Sequence, residues 1–441
     1  MIKLKKEKNL KKLSDKNVYE AALERVKYVF DEFDNIYVSF SGGKDSGVCT
    51  HLFCEEARRR GRKIGLMFID IEAHYQFTVN YAKSMFDKYK DVIIPFWICL
   101  PMETDNSLSY SEMTWAWWEN DKKDVWVRPM PTMDYVINVD NNPIDYYEYK
   151  MTFEEFVPKF GSWFGKGEKT ACIVGIRTQE SLNRWRAITN DHKSTYKGNH
   201  WSTQVDDNVY NFYPIYDWRT EDIWTFYGKT GKEYNEFYDL MYKAGISIHK
   251  MRIDEPFGDT AKAGLNMFKV LEPKTWGKVV NRVSGANFGN IYAGKKIMSS
   301  RYQLPQGHTW KSFTEFLLNT LPHDASEHYR EKFNKFIDWW TKNGSGMVEK
   351  DIELLELHYG DKIERTHTLS TRGNKDKEVV RFKSVVDTIP ELDSKMDVLT
   401  WKRMAMCIIK NDYFCKSLGF GLSVSQIKKR NATIKKYQNL L

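Results

Sequence analysis

Residues 39–47 read Ser-Phe-Ser-Gly-Gly-Lys-Asp-Ser-Gly, and they stand between an apolar run at 36–38 and a helical pattern predicted from Val48 to about Arg60. A strand that passes through a glycine-rich turn into a helix forms an anion site, because backbone N–H groups and the positive end of the helix dipole point outward there. The glycines let the backbone approach an oxyanion, the lysine supplies a mobile cation, and the serines supply hydroxyl donors. The stretch therefore predicts a phosphate-binding loop. Its candidate ligands are Ser39, Ser41, Gly42, Gly43, Lys44, Asp45 and Ser46.

The spacing of this loop excludes two common phosphate-binding patterns. The Walker pattern Gly-x-x-x-x-Gly-Lys-Ser/Thr and the dinucleotide pattern Gly-x-Gly-x-x-Gly are both absent from residues 39–47. Residues 41–46 resemble instead the pyrophosphate loop of the ATP-pyrophosphatase, or adenine nucleotide alpha hydrolase, superfamily. That resemblance implies a loop that holds the β,γ-phosphates of ATP, or the sulfate or phosphate end of an adenylyl compound, while chemistry occurs at the α-phosphate. The alternative is a serine–glycine turn without a ligand.

Strand and helix patterns alternate along the first half of the chain, the strands at 64–69, 92–97 and 171–175 and the helices at 13–33, 74–90 and 178–189. This alternation predicts an α/β fold with a parallel sheet covered by helices and with ligands at the carboxyl ends of the strands. Asp70 and Glu72 directly follow one of these strands. We take both as candidates for the nucleotide site and for Mg²⁺, because hard carboxylate oxygens suit that ion.

Composition and pattern divide the chain into three parts. Residues 1–17 form a basic segment, residues 18–245 a nucleotide-binding domain, and residues 246–441 a mainly helical domain with a basic tail. Residues 101–170, which are rich in Trp and Tyr, interrupt the alternation and predict a lid or substrate-facing insertion. In the last part we predict helices and one exposed polar loop, the helices at 310–321, 327–340 and 398–418 and the loop at 366–377.

Residues 175–184, Gly-Ile-Arg-Thr-Gln-Glu-Ser-Leu-Asn-Arg, are a second candidate site. Arg177 lies in a predicted strand-to-helix turn, and Ser181 and Arg184 share one face of the predicted helix. Two guanidinium groups at a helix start suit bidentate contacts with phosphate or sulfate. Glu180 belongs either to this site or to an i,i+4 ion pair with Arg184. The candidates here are Gly175, Arg177, Glu180, Ser181 and Arg184.

Three segments in order resemble the phosphoadenosine-phosphosulfate (PAPS) reductase family over roughly residues 18–245: the phosphate loop, residues 175–184, and Tyr-Pro-Ile-x-x-Trp-x-x-x-Asp-Ile-Trp at 213–224. The resemblance implies a Rossmann-like, adenine nucleotide alpha hydrolase-like domain in which the loop and the arginine segment hold a nucleotide's phosphates and sulfate. In the third segment, Thr220 is predicted to cap a helix. By this resemblance the binding residues are Ser41, Gly42, Gly43, Lys44, Asp45, Ser46, Arg177 and Arg184. The catalytic candidates are Lys44, Asp45 and Arg177.

The cysteines depart from the reductase pattern. Those reductases attack sulfate with a cysteine in a carboxyl-terminal Glu-Cys-Gly-Leu-His segment, which this sequence lacks, and its six cysteines are scattered without a Cys-x-x-Cys pair. Cys407 and Cys415 lie in apolar sequence and are expected to be buried core thiols. What remains is hydrolysis or adenylyl transfer at the α-phosphate of ATP or a related adenylyl nucleotide. Mg²⁺ would be held by Asp45 in the first place, with Asp70 or Glu72 as alternatives; each of these acids is otherwise an ordinary surface or capping residue.

The carboxyl half extends the resemblance over nearly the whole chain. Its segments at 282–290 and 304–310 resemble immunoglobulin-binding regulator A-type co-activators of prophage gene expression, which implies a DNA-linked role and a ParB/sulfiredoxin-like protein partner. Residues 1–16 carry seven lysines, and residues 413–441 carry basic charges and no acid. Such ends either bind DNA or form solvated termini. Two hypotheses follow: an enzyme that turns over an adenine nucleotide, and a nucleotide-sensing module that does not.

The composition predicts a cytoplasmic protein without a membrane span. No run of about 18 apolar residues occurs, and residues 1–16 have lysines but lack the apolar stretch of a signal peptide. Scattered cysteines fit reduced thiols. The net charge of +8 is modest for 441 residues, and basic residues are concentrated at the ends.

Overall fold

The protein was analysed as a computed structural model. It describes residues 15–109, 112, 114–190, 193–253, 257, 265–286, 304–321, 323–370, 377–392, 398–410, 412 and 415–420. The basic amino-terminal segment up to residue 14, residues 287–290 of the segment at 282–290 and the carboxyl-terminal tail from residue 421 lie outside the described residues, so the predictions made for them stay predictions.

The first half of the chain contains nine strands and seven helices within the described residues. The strands are β1 (Asn35–Ser39), β2 (Ile64–Ile69), β3 (Ile93–Ile98), β4 (Glu103–Asp105), β5 (Thr114–Ala116), β6 (Val136–Ile137), β7 (Thr170–Val174), β8 (Ser202–Asp206) and β9 (Val209–Phe212). The helices are α1 (Val18–Glu32), α2 (Lys44–Arg60), α3 (Gln76–Lys88), α4 (Phe153–Phe164), α5 (Leu182–Thr189), α6 (Thr220–Thr230) and α7 (Phe237–Lys243). Short 3₁₀ turns lie at Asn120–Val125 and Tyr196–Gly198.

Seven of these strands form one sheet in the order β6-β3-β2-β1-β7-β9-β8. All neighbours pair in parallel except β8, which is antiparallel to β9. Strands β1 and β2 are buried along most of their length, as expected of parallel strands covered on both faces. The predicted α/β fold with a mostly parallel sheet is confirmed.

Helix α2 begins earlier than predicted. It starts at Lys44 rather than at Val48, with Gly43 as its N-cap, and it ends at Arg60, followed by Gly61 as the C-cap with a φ of +63° that suits glycine. The lysine and aspartate of the loop therefore stand in the first helical turn.

Residues 101–170, predicted as a lid or substrate-facing insertion, contribute to the central sheet and to the core. Strand β6 joins the central sheet beside β3, and α4 is the helix that connects β6 to β7. Trp115, Trp117 and Trp118 are buried in the core. Because large aromatic side chains gain most when they leave water, they pack inward here rather than forming a lid.

The second half is mainly helical within the described residues, as predicted. Its helices are α8 (Leu265–Leu271), α9 (Pro273–Arg282), α10 (Trp310–Thr320), α11 (His323–Lys342), α12 (Glu349–Tyr359) and α13 (Trp401–Ile409). Its strands β10 (Ser345–Met347), β11 (Ile363–Leu369) and β12 (Glu378–Phe382) form a small antiparallel sheet in the order β10-β12-β11. Short 3₁₀ turns lie at Gly360–Lys362 and Lys416–Leu418. Strand β11 continues to Leu369, so the prediction of an exposed loop at 366–377 is wrong for residues 366–369.

Two large apolar cores organise the described residues. The first surrounds the central sheet and continues past residue 245 through α8 and α9 to Ala286, and the second lies between Leu318 and Leu418. Lys416 links the two halves, because its Nζ lies 2.7 Å from Glu154 Oε1 and 3.1 Å from Asp105 Oδ2. The packing around the sheet thus includes residues beyond the boundary predicted at 245, and that boundary stays a prediction.

Among the helices that the structure describes, none combines the length and the apolar composition that crossing a membrane requires.

Candidate functional site

The phosphate loop, residues 41–46, turns from the carboxyl end of β1 into α2. Gly42 has a φ of +73°, a left-handed conformation that glycine adopts without strain. Ser46 Oγ accepts from the Ser41 amide over 3.2 Å and donates to the Gly43 carbonyl oxygen over 3.1 Å. The N-cap is Gly43, which has no side chain to occupy the amides of the first turn of α2. The loop therefore has the backbone arrangement that binds anions at a helix start.

Strand β7 ends against this loop. A Cβ on Gly175 would lie 2.7 Å from the Ser46 nitrogen and 2.8 Å from the Asp45 carbonyl carbon, so only glycine permits the approach. Arg177 is 2 % exposed and donates from Nε to Asp45 Oδ1 over 2.5 Å. The two candidate segments, separate in sequence, thus meet in one place.

Lys44 is buried beside the same carboxylate. Its Nζ donates to Asp45 Oδ2 over 3.0 Å and to the Met251 carbonyl oxygen over 3.3 Å, and it lies 5.3 Å from the centre of the Tyr238 ring. Asp45 therefore stands between two cations, Lys44 and Arg177. One carboxylate cannot balance two positive charges, so the cluster keeps an excess positive charge that attracts anions.

A cavity of about 80 Å³ lies next to this cluster. Its walls come from the phosphate loop, the turn after β7, the start of α6 and residues 248–252. Lys44, Arg177, Glu180, Thr220 and Arg252 are among the residues that line it. It is a small, strongly polar space at the carboxyl ends of β1 and β7.

Ser181 and Arg184 do not stand together on a helix face. Ser181 is the N-cap of α5 and accepts from the Arg184 amide over 3.2 Å, because α5 begins at Leu182 and not near residue 178. The Arg184 guanidinium forms an ion pair with Glu180, which is the i,i+4 alternative. Burial raises the pKa of the Glu180 carboxyl above its ordinary value even though Arg184 lies against it. In this structure, Ser181 and Arg184 support the wall that Glu180 forms.

Thr220 and Gln179 belong to the site although the sequence did not mark them as ligands. Thr220 is the first residue of α6, whose N-cap is Arg219, so the predicted capping role of Thr220 is wrong. Its amide donates to Gln179 Oε1 over 2.8 Å, and Arg177 Nη1 lies 3.4 Å from its hydroxyl. Both residues lie in the segments on which the family resemblance rests. That resemblance is the feature of the sequence that could have indicated them as site residues.

Aromatic and amide side chains from the end of this domain hold the loop in place. Tyr227 donates to the Lys44 carbonyl oxygen over 2.7 Å, and the Lys44 amide donates to the Tyr238 hydroxyl over 3.1 Å. Asn235 donates to the Gly42 carbonyl oxygen over 3.0 Å. These contacts join residues about 190 positions apart, so no local sequence pattern could have indicated them.

Asp70 and Glu72 do not join the cavity, contrary to expectation. Both are fully buried. Asp70 accepts from Trp97 Nε1 over 2.8 Å and is paired with Arg128, while Glu72 accepts from Arg282 Nε over 3.0 Å. Burial alone would raise the pKa of the Asp70 carboxyl, but Arg128 and its other partners hold that pKa below its ordinary value. Both carboxylates are used inside the fold, and neither is open to Mg²⁺.

The cysteines are free and buried. Cys407 and Cys415 are buried in the second core, as expected. Burial raises the pKa of Cys172 to about 12 and that of Cys407 well above its ordinary value. A thiol must ionise to attack, so these cysteines are poor nucleophiles.

No group of three or more His, Cys, Asp or Glu side chains in the described ranges is arranged to hold a metal ion. The carboxylate that lines the cavity is Glu180, and Asp45 contacts two of the cations that line it, Lys44 and Arg177. This donor set fits Mg²⁺ that is held mainly by a ligand's phosphates, the usual way in which proteins hold this ion, and does not form an all-protein cage.

Comparison with known proteins divides the chain between two families of domain. Residues 35–244 match the phosphoadenosine phosphosulfate reductase domain, and residues 245–429 match a domain of unknown function, DUF3440. The first match shows that this part of the chain is similar to that reductase domain.

Two relatives are similar over long stretches. The chain is 36% identical over 425 residues to the uncharacterized protein YbdN of Escherichia coli (strain K12), which covers 94% of this chain and 93% of that protein. It is 24% identical over 287 residues to the uncharacterized protein MJ0973 of Methanocaldococcus jannaschii, with 60% of this chain and 58% of that protein covered. A crystal structure of PAPS reductase from Candida auris, in a phosphate complex, covers 53% of this chain and 94% of its own, with 13% identity and a TM-score of 0.26.

Proposed function

This chain belongs to the same family as the Escherichia coli protein YbdN and carries a PAPS reductase-type domain, and from that premise we propose that the site around Lys44 and Arg177 binds the phosphates of ATP or a related adenylyl nucleotide and promotes reaction at the α-phosphate. One observation carries the proposal: two buried cations from separate strand–turn–helix units converge on a single carboxylate beside a polar cavity. Lys44 and Arg177 are both nearly fully buried and both line the cavity, so an anion that enters it meets two positive charges.

The phosphates take the place of Asp45 as partners of the two cations. Lys44 Nζ is a compact charge that can reach one phosphate oxygen, and the Arg177 guanidinium can bind two oxygens at once. The backbone of the phosphate loop contributes N–H groups at the helix start. Asp45, relieved of its partners, becomes available to Mg²⁺ that arrives with the phosphates. That ion, when bound, neutralises phosphate charge.

The proposed reaction is an adenylyl transfer or a hydrolysis. An acceptor oxygen attacks the α-phosphorus, the bond from that phosphorus to the oxygen that bridges to the β-phosphate breaks, and pyrophosphate leaves. When water is the acceptor, the other product is AMP, and one proton passes to solvent. Lys44 and Arg177 stabilise the charge that develops on the leaving pyrophosphate. Because the cysteines are buried, we do not include sulfonucleotide reduction in the proposal.

A second candidate is a nucleotide sensor without turnover. It is favoured by the bond from Lys44 to the Met251 carbonyl oxygen, because this bond links the phosphate loop directly to the second matched region. A regulatory role with DNA or with a ParB/sulfiredoxin-like partner would build on such a link, and it remains a prediction from resemblance alone.

Nucleotide binding and turnover test the proposal together. Purified protein with ATP labelled in the α-phosphate and Mg²⁺, with and without DNA, is expected to release AMP and pyrophosphate or to transfer AMP. Lys44→Ala is expected to lower ATP affinity at least tenfold by calorimetry, because a charged contact is lost. The exposed Lys90→Ala is the matched control and keeps wild-type affinity.

Circular dichroism shows whether each variant folds. Equal ATP affinity of folded Lys44→Ala and wild type would refute the site. Tight binding without any product, under all these conditions, would select the sensor.

A further inference from the structure

Residues 248–252, here called the roof segment, form one wall of the cavity although they belong to the second matched region. The Met251 carbonyl oxygen accepts from Lys44 Nζ over 3.3 Å, and the Arg252 guanidinium donates to the carbonyl oxygen of Glu180. The roof segment therefore touches both halves of the site, the phosphate loop on one side and the turn before α5 on the other.

Among the described residues, the contacts of the roof segment are made partly with the first core and partly with exposed polar groups. Met251 is 2 % exposed and anchors it in the first core, while Lys250 and Arg252 are exposed. His249 Nε2 lies 3.5 Å from Glu221 Oε1, and both of these side chains are about half exposed. Ile248 also packs against the first core, and the buried Lys44 Nζ donates to the Met251 carbonyl oxygen, so the segment is a short loop anchored on its inner side and exposed at Lys250 and Arg252. Loops of this kind open at lower cost than core helices and strands.

The cavity under the roof segment is too small for a nucleotide. Its volume is about 80 Å³, whereas pockets that enclose a small-molecule ligand measure roughly 300–1,000 Å³. A triphosphate cannot reach Lys44 while the Met251 carbonyl oxygen occupies the space beside its Nζ. The roof segment must therefore move outward before a nucleotide enters.

We propose that the roof segment opens to admit the nucleotide and then closes over it, with Arg252 as a third phosphate-binding cation. This inference rests on the proposed function of the site. In the closed structure the Arg252 guanidinium donates to a neutral carbonyl oxygen at the cavity wall. Exchange of that carbonyl for a phosphate turns an ion–dipole hydrogen bond into an ion pair in which the guanidinium can bind two oxygens at once. The second matched region thereby completes a site that the first region begins.

Hydrogen exchange with and without ATP and Mg²⁺ tests the movement. In the wild-type protein, ATP is expected to protect peptides that cover the phosphate loop, residues 175–181 and the roof segment. Protection of the first two without any change at the roof segment would overturn the inference and leave the proposed function standing. Protection of none of them would count against the proposed function itself.

Affinity measurements test the role of Arg252. Arg252→Ala is expected to weaken binding of ATP and of pyrophosphate about tenfold, and Arg252→Lys, which keeps the charge but loses the planar fork, is expected to recover part of the loss. Lys250→Ala, two residues away and also exposed, removes the same charge without a contact to the cavity and is expected to change nothing. Equal losses in the Arg252→Ala and Lys250→Ala variants would mean a general electrostatic effect and would overturn the assignment.

Discussion

Arg282 and Glu72 form an ion pair inside the protein, with 3.0 Å between Arg282 Nε and Glu72 Oε1 and with side chains that are 1 % and 0 % exposed. Glu72 also accepts from the backbone amides of Trp118 and Val127. The pair joins α9, from the second matched region, to the residues that follow β2. It explains why a carboxylate at the carboxyl end of a strand, the usual place for a ligand-binding residue, serves the fold here.

Removal of Arg282 is expected to destabilise the protein strongly. In Arg282→Met the Glu72 carboxylate stays buried without its cation, and breaking a buried pair in this way costs about 3–5 kcal/mol. Urea denaturation measures the difference. Lys335→Met, which breaks the exposed i,i+4 pair with Glu331, is the control and is expected to stay within about 0.5 kcal/mol of the wild type. A loss below about 1 kcal/mol for Arg282→Met would show that Glu72 is not held as described.

A single methyl group at Gly175 is expected to disturb the site. In Gly175→Ala the new Cβ meets the Ser46 nitrogen at 2.7 Å, so β7 and the phosphate loop must move apart. Such overpacking costs about 1–3 kcal/mol, and ATP affinity should fall because Arg177 moves with β7.

Gly228→Ala is the matched control, because no atom lies within 4 Å of the Cβ it would add in α6. It is expected to gain up to about 1 kcal/mol from better helix propensity and to bind ATP like the wild type. Urea denaturation and calorimetry measure both quantities. Equal stability of the two glycine variants would contradict the close approach at Gly175.

His51 is expected to make the protein sensitive to mild acid. It is fully buried, with 2.7 Å from Nδ1 to the Tyr89 hydroxyl and 2.9 Å from Nε2 to the Glu233 carbonyl oxygen. Burial lowers its pKa from 6.5 to about 4. Between pH 6.5 and pH 4 the unfolded chain therefore binds a proton that the folded protein does not, so the free energy of unfolding falls as the pH falls through this range.

From pH 7 to pH 5, His51 should account for about 2 kcal/mol of lost stability, at 1.36 kcal/mol per pKa unit. Urea denaturation at both pH values should show a smaller loss for His51→Gln than for the wild type. His323→Gln, at a side chain that is 80 % exposed, is expected to follow the wild type. If His51→Gln also loses as much stability as the wild type, His51 is not buried in its neutral form.

Helices and strands with strong periodic patterns were predictable, and their ends were less so. The strands at 64–69 and 171–175 and the helix near residues 76–88 follow from apolar runs and 3.6-residue spacing, which depend on neighbours in sequence. The start of α2 was placed four residues late because Lys44 and Asp45 are polar, and polar residues in a first turn resemble a loop. Their burial comes from contacts with distant residues, Arg177 and Met251.

The tryptophans at 115, 117 and 118 show that burial, like the ends of helices, depends on residues far away in the sequence. The insertion that contains them was predicted to be a lid or to face a substrate, but aromatic side chains are used in cores as readily as at interfaces. Whether a tryptophan faces solvent depends on what lies opposite it, and here Phe257 and Arg282 of the second matched region lie against Trp115. Amino-acid composition does not specify which residues lie against each other in the fold.

By itself, the sequence determined the chemistry of the phosphate loop: a glycine-rich turn before a helix, with one lysine and one aspartate, is a local arrangement whose conformation and charge follow from adjacent residues. Only the tertiary structure decided which charges meet there. It brought Arg177, Thr220 and Arg252 to the loop and paired Asp70 and Glu72 with arginines elsewhere. The physical reason is that ion pairing and burial depend on distances between residues far apart in the chain, and the packing of the sheet and its helices sets those distances.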